Sequence, residues 1–203
     1  MKLFYSPASP YVRKVLASAH QLGLADRITL LDSAASPVAR DMRIAPHNPT
    51  GKVPTMLLDD GTTLIDSRTI CEYLGSLKPE AGLFPQGDAR WEALRLHAIA
   101  DGLLDAALLA RYELVMRPEA LRWDAWLAGQ MGKIDACVAA LEAEADALEG
   151  SAHIGAITVG CALGYLDFRF ADHDWRGAAP RLADWWARYR ETEPMARTSP
   201  GQP

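Results

Sequence analysis

The chain has 203 residues, 49% of them hydrophobic and 23% charged, with a net charge of -5 and acidic and basic residues interleaved. This is the composition of a globular chain long enough for two small domains. The absence of any Lys/Arg run argues against a nucleic-acid groove or an anionic membrane as partner. No apolar stretch approaches the ~18 residues of a membrane span and the first residues lack a signal-peptide core, so a cytoplasmic protein is expected. Cys71, Cys137 and Cys161 are widely spaced within apolar helical patterns, without a CxxC pair, and read as reduced core residues. His20, His47, His97, His153 and His173 show no metal-ligand spacing, so no metal is expected.

The N-terminal stretch KLFYSPASPYVRK opens with a short buried strand at residues 3–5 and a turn at 6–8. Ser9-Pro10 then starts an amphipathic helix whose apolar face is Val12, Val15, Leu16 and Ala19, with Ser9 as N-cap, Pro10 at the first helical position and Gly23 past its end. Such a helix start gathers amide donors, the positive end of the helix dipole and one hydroxyl, a combination that suits a thiolate; Ser9 can equally be a cap and nothing more. Residues 28–31 read as a second strand, completing a βαβ unit, and 32–47 are irregular with one or two helical turns. Asn48-Pro49-Thr50-Gly51-Lys52 is a turn leading into a strand over 53–58. Pro54 either demotes that strand to an edge or follows a cis bond. Asp59-Asp60-Gly61 is a hairpin turn, 62–65 the return strand, and Asp66-Ser67 begins a helix running to Leu77.

Residues 78–88 lose periodicity and read as a linker between a domain at 1–77 and a second at 89–203. Beyond the linker only helix signals remain. A long helix spans 89–117 and a second 126–148, with Leu127, Met131, Ile134, Val138, Leu141 and Leu148 at three-four spacing. Residues 154–170 are apolar on all sides and read as a buried central helix, and 180–191, with Leu182, Trp185 and Trp186, as the helix that covers it.

Ser9-Pro10 at a strand-helix junction, Asn48-Pro49 followed by Lys52-Val53-Pro54, Asp66-Ser67 at a second helix start, and the segment GCALGYLDFRF from Gly160 resemble, in that order, the cytosolic glutathione S-transferases. The SPYVRK start is similar to the bacterial, serine-type SPxxRK subgroup, and the resemblance covers essentially the whole chain. It implies a thioredoxin-like α/β N-terminal domain (βαβ-ββα) with an all-α helical bundle after it, glutathione as cosubstrate, a small electrophile as second substrate, and a homodimer. By the resemblance, Ser9 donates to the glutathione sulfur and the main chain of Val53, exposed by cis Pro54, pairs with the cysteinyl backbone. Ser67 holds the γ-glutamyl carboxylate; Asp66 takes the γ-glutamyl amine or only starts its helix. Lys52 answers the glycyl carboxylate or is a solvated loop lysine, and His47 contributes. Tyr11, Tyr112 and Trp175 line a cosubstrate pocket or are simply packed, and Asp101 is a candidate to reach a neighbouring subunit's glutathione. Tyr5 lies on the strand and is the weaker hydroxyl donor. The family opens its central helix with Ser or Thr and places Asp three residues later, where this chain has His153 and Ala156. On that ground His153→Thr with Ala156→Asp is expected to stabilise. Thiol exchange is disfavoured because it needs a cysteine where Ser9 stands. The other class of function open to the same fold is a non-catalytic glutathione-binding or protein-interaction module.

Overall fold

The computed structural model describes residues 1–33 and 35–200. They form two compact units, Met1–Gln86 joined by the segment from Thr192 onward, and Gly87–Glu191. In the first unit β1 (Lys2–Tyr5), α1 (Pro10–Gln21), β2 (Thr29–Asp32), β3 (Thr55–Leu57), β4 (Thr63–Leu64) and α2 (Ser67–Ser76) follow the βαβ-ββα order. The sheet runs β2-β1-β3-β4. β1 and β2 are parallel, with Leu3 opposite Leu30, whereas β3 is antiparallel to both β1 and β4. Leu3, Met56, Val12, Val15, Ile70 and Leu74 are almost fully excluded from water and build the core between sheet and helices. The end of α1 is a Schellman motif: the N–H of Gly23, at φ +65°, donates to the His20 carbonyl at 3.0 Å and that of Leu24 to Ala19 at 2.8 Å.

Pro54 stands before β3 and the Val53-Pro54 bond is cis. β3 lies inside the sheet, so of the two readings of this proline the edge strand falls away. The irregular stretch after β2 holds a bridge between Ser36 and Ala39 and is pinned by the buried Ile44; among its described residues it contains turns but no helix.

The second unit contains α3 (Asp88–Val115), α4 (Asp124–Ala143), α5 (Ala145–Leu148), α6 (Ile154–Arg169), α7 (Trp175–Ala178) and α8 (Pro180–Tyr189). The single helix expected over 126–148 is divided at Glu144 into α4 and α5. α6 is the centre of this unit, buried from Ile154 to Leu166 and packed chiefly on α3. Each fully buried aliphatic side chain there contributes roughly 1.5 to 3 kcal/mol. The two helices approach closely at Gly155, where a Cβ would lie 2.7 Å from the Ala93 carbonyl and 2.9 Å from Leu96 Cβ. At the other end of α6 the Asp167 carboxylate accepts Trp175 Nε1 (3.1 Å), Trp186 Nε1 (2.9 Å) and both Arg176 terminal nitrogens (2.7 and 2.8 Å), tying α7 and α8 to it.

A short helix α9 (Glu193–Ala196), absent from the sequence expectation, belongs to the first unit and packs on α1. The helical unit therefore ends at Glu191 and does not extend to 203. The expected linker is also taken up by the first unit: Leu83 is buried, and Phe84 lies against Gly75 of α2.

Candidate functional site

Strand register decides which loops meet. Phe4 opposes Thr55 and Tyr5 pairs with Asp32, so β1 and β2 finish at the end of the sheet where β3 begins. Met56 opposes Leu64, which brings the exit of β4 to that same end. Ser9, Val53, Pro54, Asp66 and Ser67 all lie on the short connections leaving this end, with His47 and Lys52 on the loop entering β3.

Ser9 is the N-cap of α1 (φ -84°, ψ 119°) and half-buried. Its Oγ accepts the Val12 N–H at 3.3 Å and its carbonyl accepts that of Arg13 at 3.0 Å. Pro10 has no N–H to offer. The amide donors foreseen for an anion at this turn are thus largely spent on Ser9, and the group left to present is the hydroxyl proton, since an acceptor bond occupies only a lone pair. Tyr5 is engaged elsewhere: its hydroxyl bonds to the Asp32 carboxylate, and that bond, with burial and the Asp32 charge, pushes the phenol above its ordinary pKa.

Asp66 is exposed and caps α2, Oδ1 accepting the Arg68 N–H at 2.9 Å, while Ser67 behind it is buried and opens the helix. The structure thus places Asp66 as the start of its helix, one of the two readings the sequence left open. The loop into β3 is built around Asn48, which the sequence marked as turn chemistry and as part of the Asn48-Pro49 motif but not as a site residue. Its Nδ2 donates to the Lys52 carbonyl (3.1 Å) and to Thr55 Oγ1 (2.9 Å), and its Oδ1 accepts the N–H and hydroxyl of Thr50 (2.9 and 2.8 Å). Thr55 Oγ1 returns a bond to the Lys52 carbonyl at 2.8 Å. Asn48 is 2% exposed, and with Thr55 it holds Lys52 and Val53 in one conformation. Lys52 and His47 are exposed, the His47 ring 6.0 Å from that of Phe4. Arg40, which the sequence did not single out, reaches the same loop through the Pro49 carbonyl at 2.9 Å. The Asn-Pro-Thr-Gly turn and the Asn48-Pro49 motif were the signals in the sequence for this network.

The remaining candidates lie on helices. Tyr11 is half-buried in the first turn of α1, with Lys14 Nζ 5.9 Å from its ring centre. Tyr112 is half-buried on α3, its phenol raised by burial. Trp175 is 2% exposed, bonded to Asp167 and stacked under the Arg176 guanidinium, so its side chain is packed. Asp101 is likewise buried, 3.1 Å from His97 on its own helix. A surface groove of about 260 Å³ along α7 and α8, lined by Arg176, Trp186 and Arg190 among others, contains none of the candidates. Among the described residues no His, Cys, Asp and Glu cluster has metal-binding geometry, and no helix is long and apolar enough to cross a membrane.

Comparison with known proteins agrees with this architecture. Residues 8–77 match the family model of the glutathione S-transferase N-terminal domain and 124–188 that of the C-terminal domain. A crystal structure of a glutathione transferase family member from Pseudomonas fluorescens Pf-5 with bound glutathione is 45% identical, with a TM-score of 0.96 and 99% of each chain covered. A glutathione S-transferase from Methylobacillus flagellatus KT, also with glutathione bound, is 34% identical at a TM-score of 0.86 and 98% coverage of both chains. An uncharacterized GST-like protein of Escherichia coli (strain K12) is 31% identical over 206 residues, 98% of each chain. From its β1-α1 junction to its helical second unit, the chain belongs to the glutathione S-transferase family.

Proposed function

We propose that this protein is a catalytically active, serine-type glutathione transferase that forms the glutathione thiolate and directs it at an electrophilic carbon of a small cosubstrate. The observation that carries the reading is Ser9: a hydroxyl at the start of a twelve-residue helix, with a lone pair spent on Val12 and its proton left to give. A free cysteine thiol titrates near ~8.5, so little thiolate exists at neutral pH. A hydrogen bond to the anion, worth ~1.5 to 3 kcal/mol, and the helix dipole, worth up to ~2 kcal/mol, lower that pKa by roughly two units. Thiolate then predominates at pH 7, and attack is accelerated by activation and proximity together.

The remaining candidates divide the rest of the tripeptide among them. The main chain of Val53, held by Asn48 and Thr55, pairs with the cysteinyl backbone. Ser67 and the first amides of α2 take the γ-glutamyl carboxylate, an anion at a helix N-terminus, while the exposed Asp66 carboxylate takes the amine. Lys52 and Arg40, on and against the loop entering β3, offer positive charge to the glycyl carboxylate, and His47 contributes. Tyr11 and Tyr112 are the aromatic candidates for the cosubstrate. The 45% identical Pseudomonas fluorescens relative with bound S-(propanoic acid)-glutathione, a sulfur-substituted form, supports carbon conjugation as the chemistry. We further propose a cytoplasmic homodimer.

Retention on immobilised glutathione followed by turnover of a panel of aryl halides, epoxides, enones and peroxides tests the reading. Retention with turnover of a carbon electrophile is the expected result. Retention without any turnover would mean a binding module, and sedimentation as a 22.2 kDa monomer at micromolar concentration would remove the dimer.

A further inference from the structure

The first turn of α1 is fastened by a residue that the glutathione reading does not use. Arg13 is 6% exposed. Its main-chain N–H closes the turn on the Ser9 carbonyl at 3.0 Å. Its guanidinium leaves the helix for the C-terminal segment, Nη2 donating to the Met195 carbonyl at 3.1 Å and Nε to Thr198 Oγ1 at 3.4 Å. Thr198 in turn donates to the Pro194 carbonyl at 2.7 Å, and Met195 is fully buried. His20, two turns along the same face of α1, meets the charges of Arg197 and Glu193. Residues 193–198 therefore follow α1 from the Ser9 end to its last turn.

Burying a guanidinium costs several kcal/mol unless its donors are matched, so a position that needed only volume would be served better by an aliphatic side chain. What Arg adds is direction. Its donors form a rigid planar fork, and two bonds from one plane set both the distance and the rotation of the helix start against the segment it grips. A hydrogen bond weakens steeply with angle, so a small rotation of this turn moves the Ser9 hydroxyl off a fixed sulfur.

We propose that Arg13 is a positioning residue for Ser9, and that residues 193–198, from the opposite end of the chain, are the abutment that aims the hydroxyl at the glutathione sulfur. The proposal rests on the reading of Ser9 as the partner of that sulfur.

The test uses the full chain and three substitutions, Arg13→Gln, Arg13→Lys and Thr198→Val. The readouts are the thiol titration of bound glutathione by ultraviolet thiolate absorbance, kcat and KM with an aryl halide, and thermal midpoint. Arg13→Gln is expected to raise the thiol midpoint by about half a unit or more and to lower kcat near pH 6.5 about three- to tenfold, with glutathione affinity within about twofold. Thr198→Val should move the midpoint less in the same direction, and Arg13→Lys should restore part of the loss. In a Ser9→Ala background, Arg13→Gln should add no further shift, since both act through one hydroxyl. An Arg13→Gln protein that melts earlier but keeps the wild-type midpoint and kcat would overturn the proposal, as would a shift that persists without Ser9. If Arg13→Gln does not fold, Thr198→Val decides, and an unmoved midpoint there counts against positioning. A wild-type protein that binds glutathione with an unshifted thiol removes the Ser9 reading and this proposal together, an outcome visible before any Arg13 variant is made.

Discussion

His153 Nδ1 accepts the main-chain N–H of Ala156 at 3.3 Å, so an imidazole performs the capping expected of a hydroxyl at the head of the central helix α6. Nδ1 must then be the unprotonated nitrogen, which makes the cap titratable. Burial holds the His153 pKa below its ordinary 6.5. A histidine whose folded pKa is depressed stabilises fully above its unfolded pKa and loses that contribution as pH falls through the folded one. Protonation would also place a positive charge at the positive end of the helix dipole. The second unit should therefore lose about 1 kcal/mol between pH 7 and 5 through this cap, whereas His153→Thr should show a flatter dependence. Denaturant midpoints across that range decide it, and equal slopes would remove the cap as their cause. Ala156 is completely buried, so the carboxylate half of the pair proposed from sequence does not carry over. Adding Ala156→Asp should cost roughly 1 to 3 kcal/mol by overpacking.

Ser9→Ala should lower conjugation at least about tenfold near neutral pH while leaving glutathione affinity nearly unchanged, because the hydroxyl addresses the sulfur alone. The midpoint of the rate against pH should rise. A stability loss of about 1 kcal/mol should accompany it, since Ser9 also caps α1. A variant with the lower stability but an unchanged rate profile would leave Ser9 as a cap only.

Asn48→Ala should act on binding more than on chemistry. It removes the acceptor of the Thr50 N–H and one of the two bonds at both the Lys52 carbonyl and Thr55 Oγ1, each bond contributing about 0.5 to 1.5 kcal/mol. With Lys52 and Val53 loosened, KM for glutathione should rise severalfold with a smaller change in kcat. Steady-state kinetics with saturating electrophile check this, and a pure kcat effect would contradict it.

Asp167→Asn should destabilise the second unit by about 3 kcal/mol or more, because charge-assisted bonds of ~1.5 to 3 kcal/mol each are weakened at once. Burial works to raise the Asp167 carboxyl, but the bonds from Arg176, Trp186 and Trp175 outweigh it and its pKa lies below the ordinary value. A carboxyl depressed in this way stabilises above its unfolded pKa and loses that contribution as pH falls through the folded value. The variant should therefore show a shallower loss of stability on acidification below about pH 4, read by calorimetry. A wild-type-like acid limb would show that another carboxylate governs it.

Gly155→Ala should cost about 1 to 3 kcal/mol, because the new methyl meets the Ala93 main-chain carbonyl at 2.7 Å and backbone cannot rotate aside. A thermal midpoint equal to wild type would mean that α3 and α6 separate at no cost.

Local rules were enough for much of this chain. Short apolar runs bounded by turn residues located the strands and three-four periodicity the long helices, Ser9-Pro10 and Gly23 marked both ends of α1, and Asp66 marked the start of α2, because capping and turn chemistry act within a few residues. The junctions carrying Ser9, Val53 and Ser67 could be named from the same signals. What required the tertiary structure is every relation between residues distant in sequence. Strand register, set by hydrogen bonds between β1, β3 and β4, brings those junctions to one end of the sheet. Asn48 becomes a loop scaffold only when Thr55 folds back onto it, and Trp175 proves to be packed only once α6 presents Asp167. The segment after Thr192 has the composition of a surface tail, yet it joins the first unit because Arg13, 182 residues away from Met195 along the chain, supplies a buried fork for its carbonyl. Periodicity reports which face of an element is apolar; which partner covers that face is decided by packing among all the elements at once.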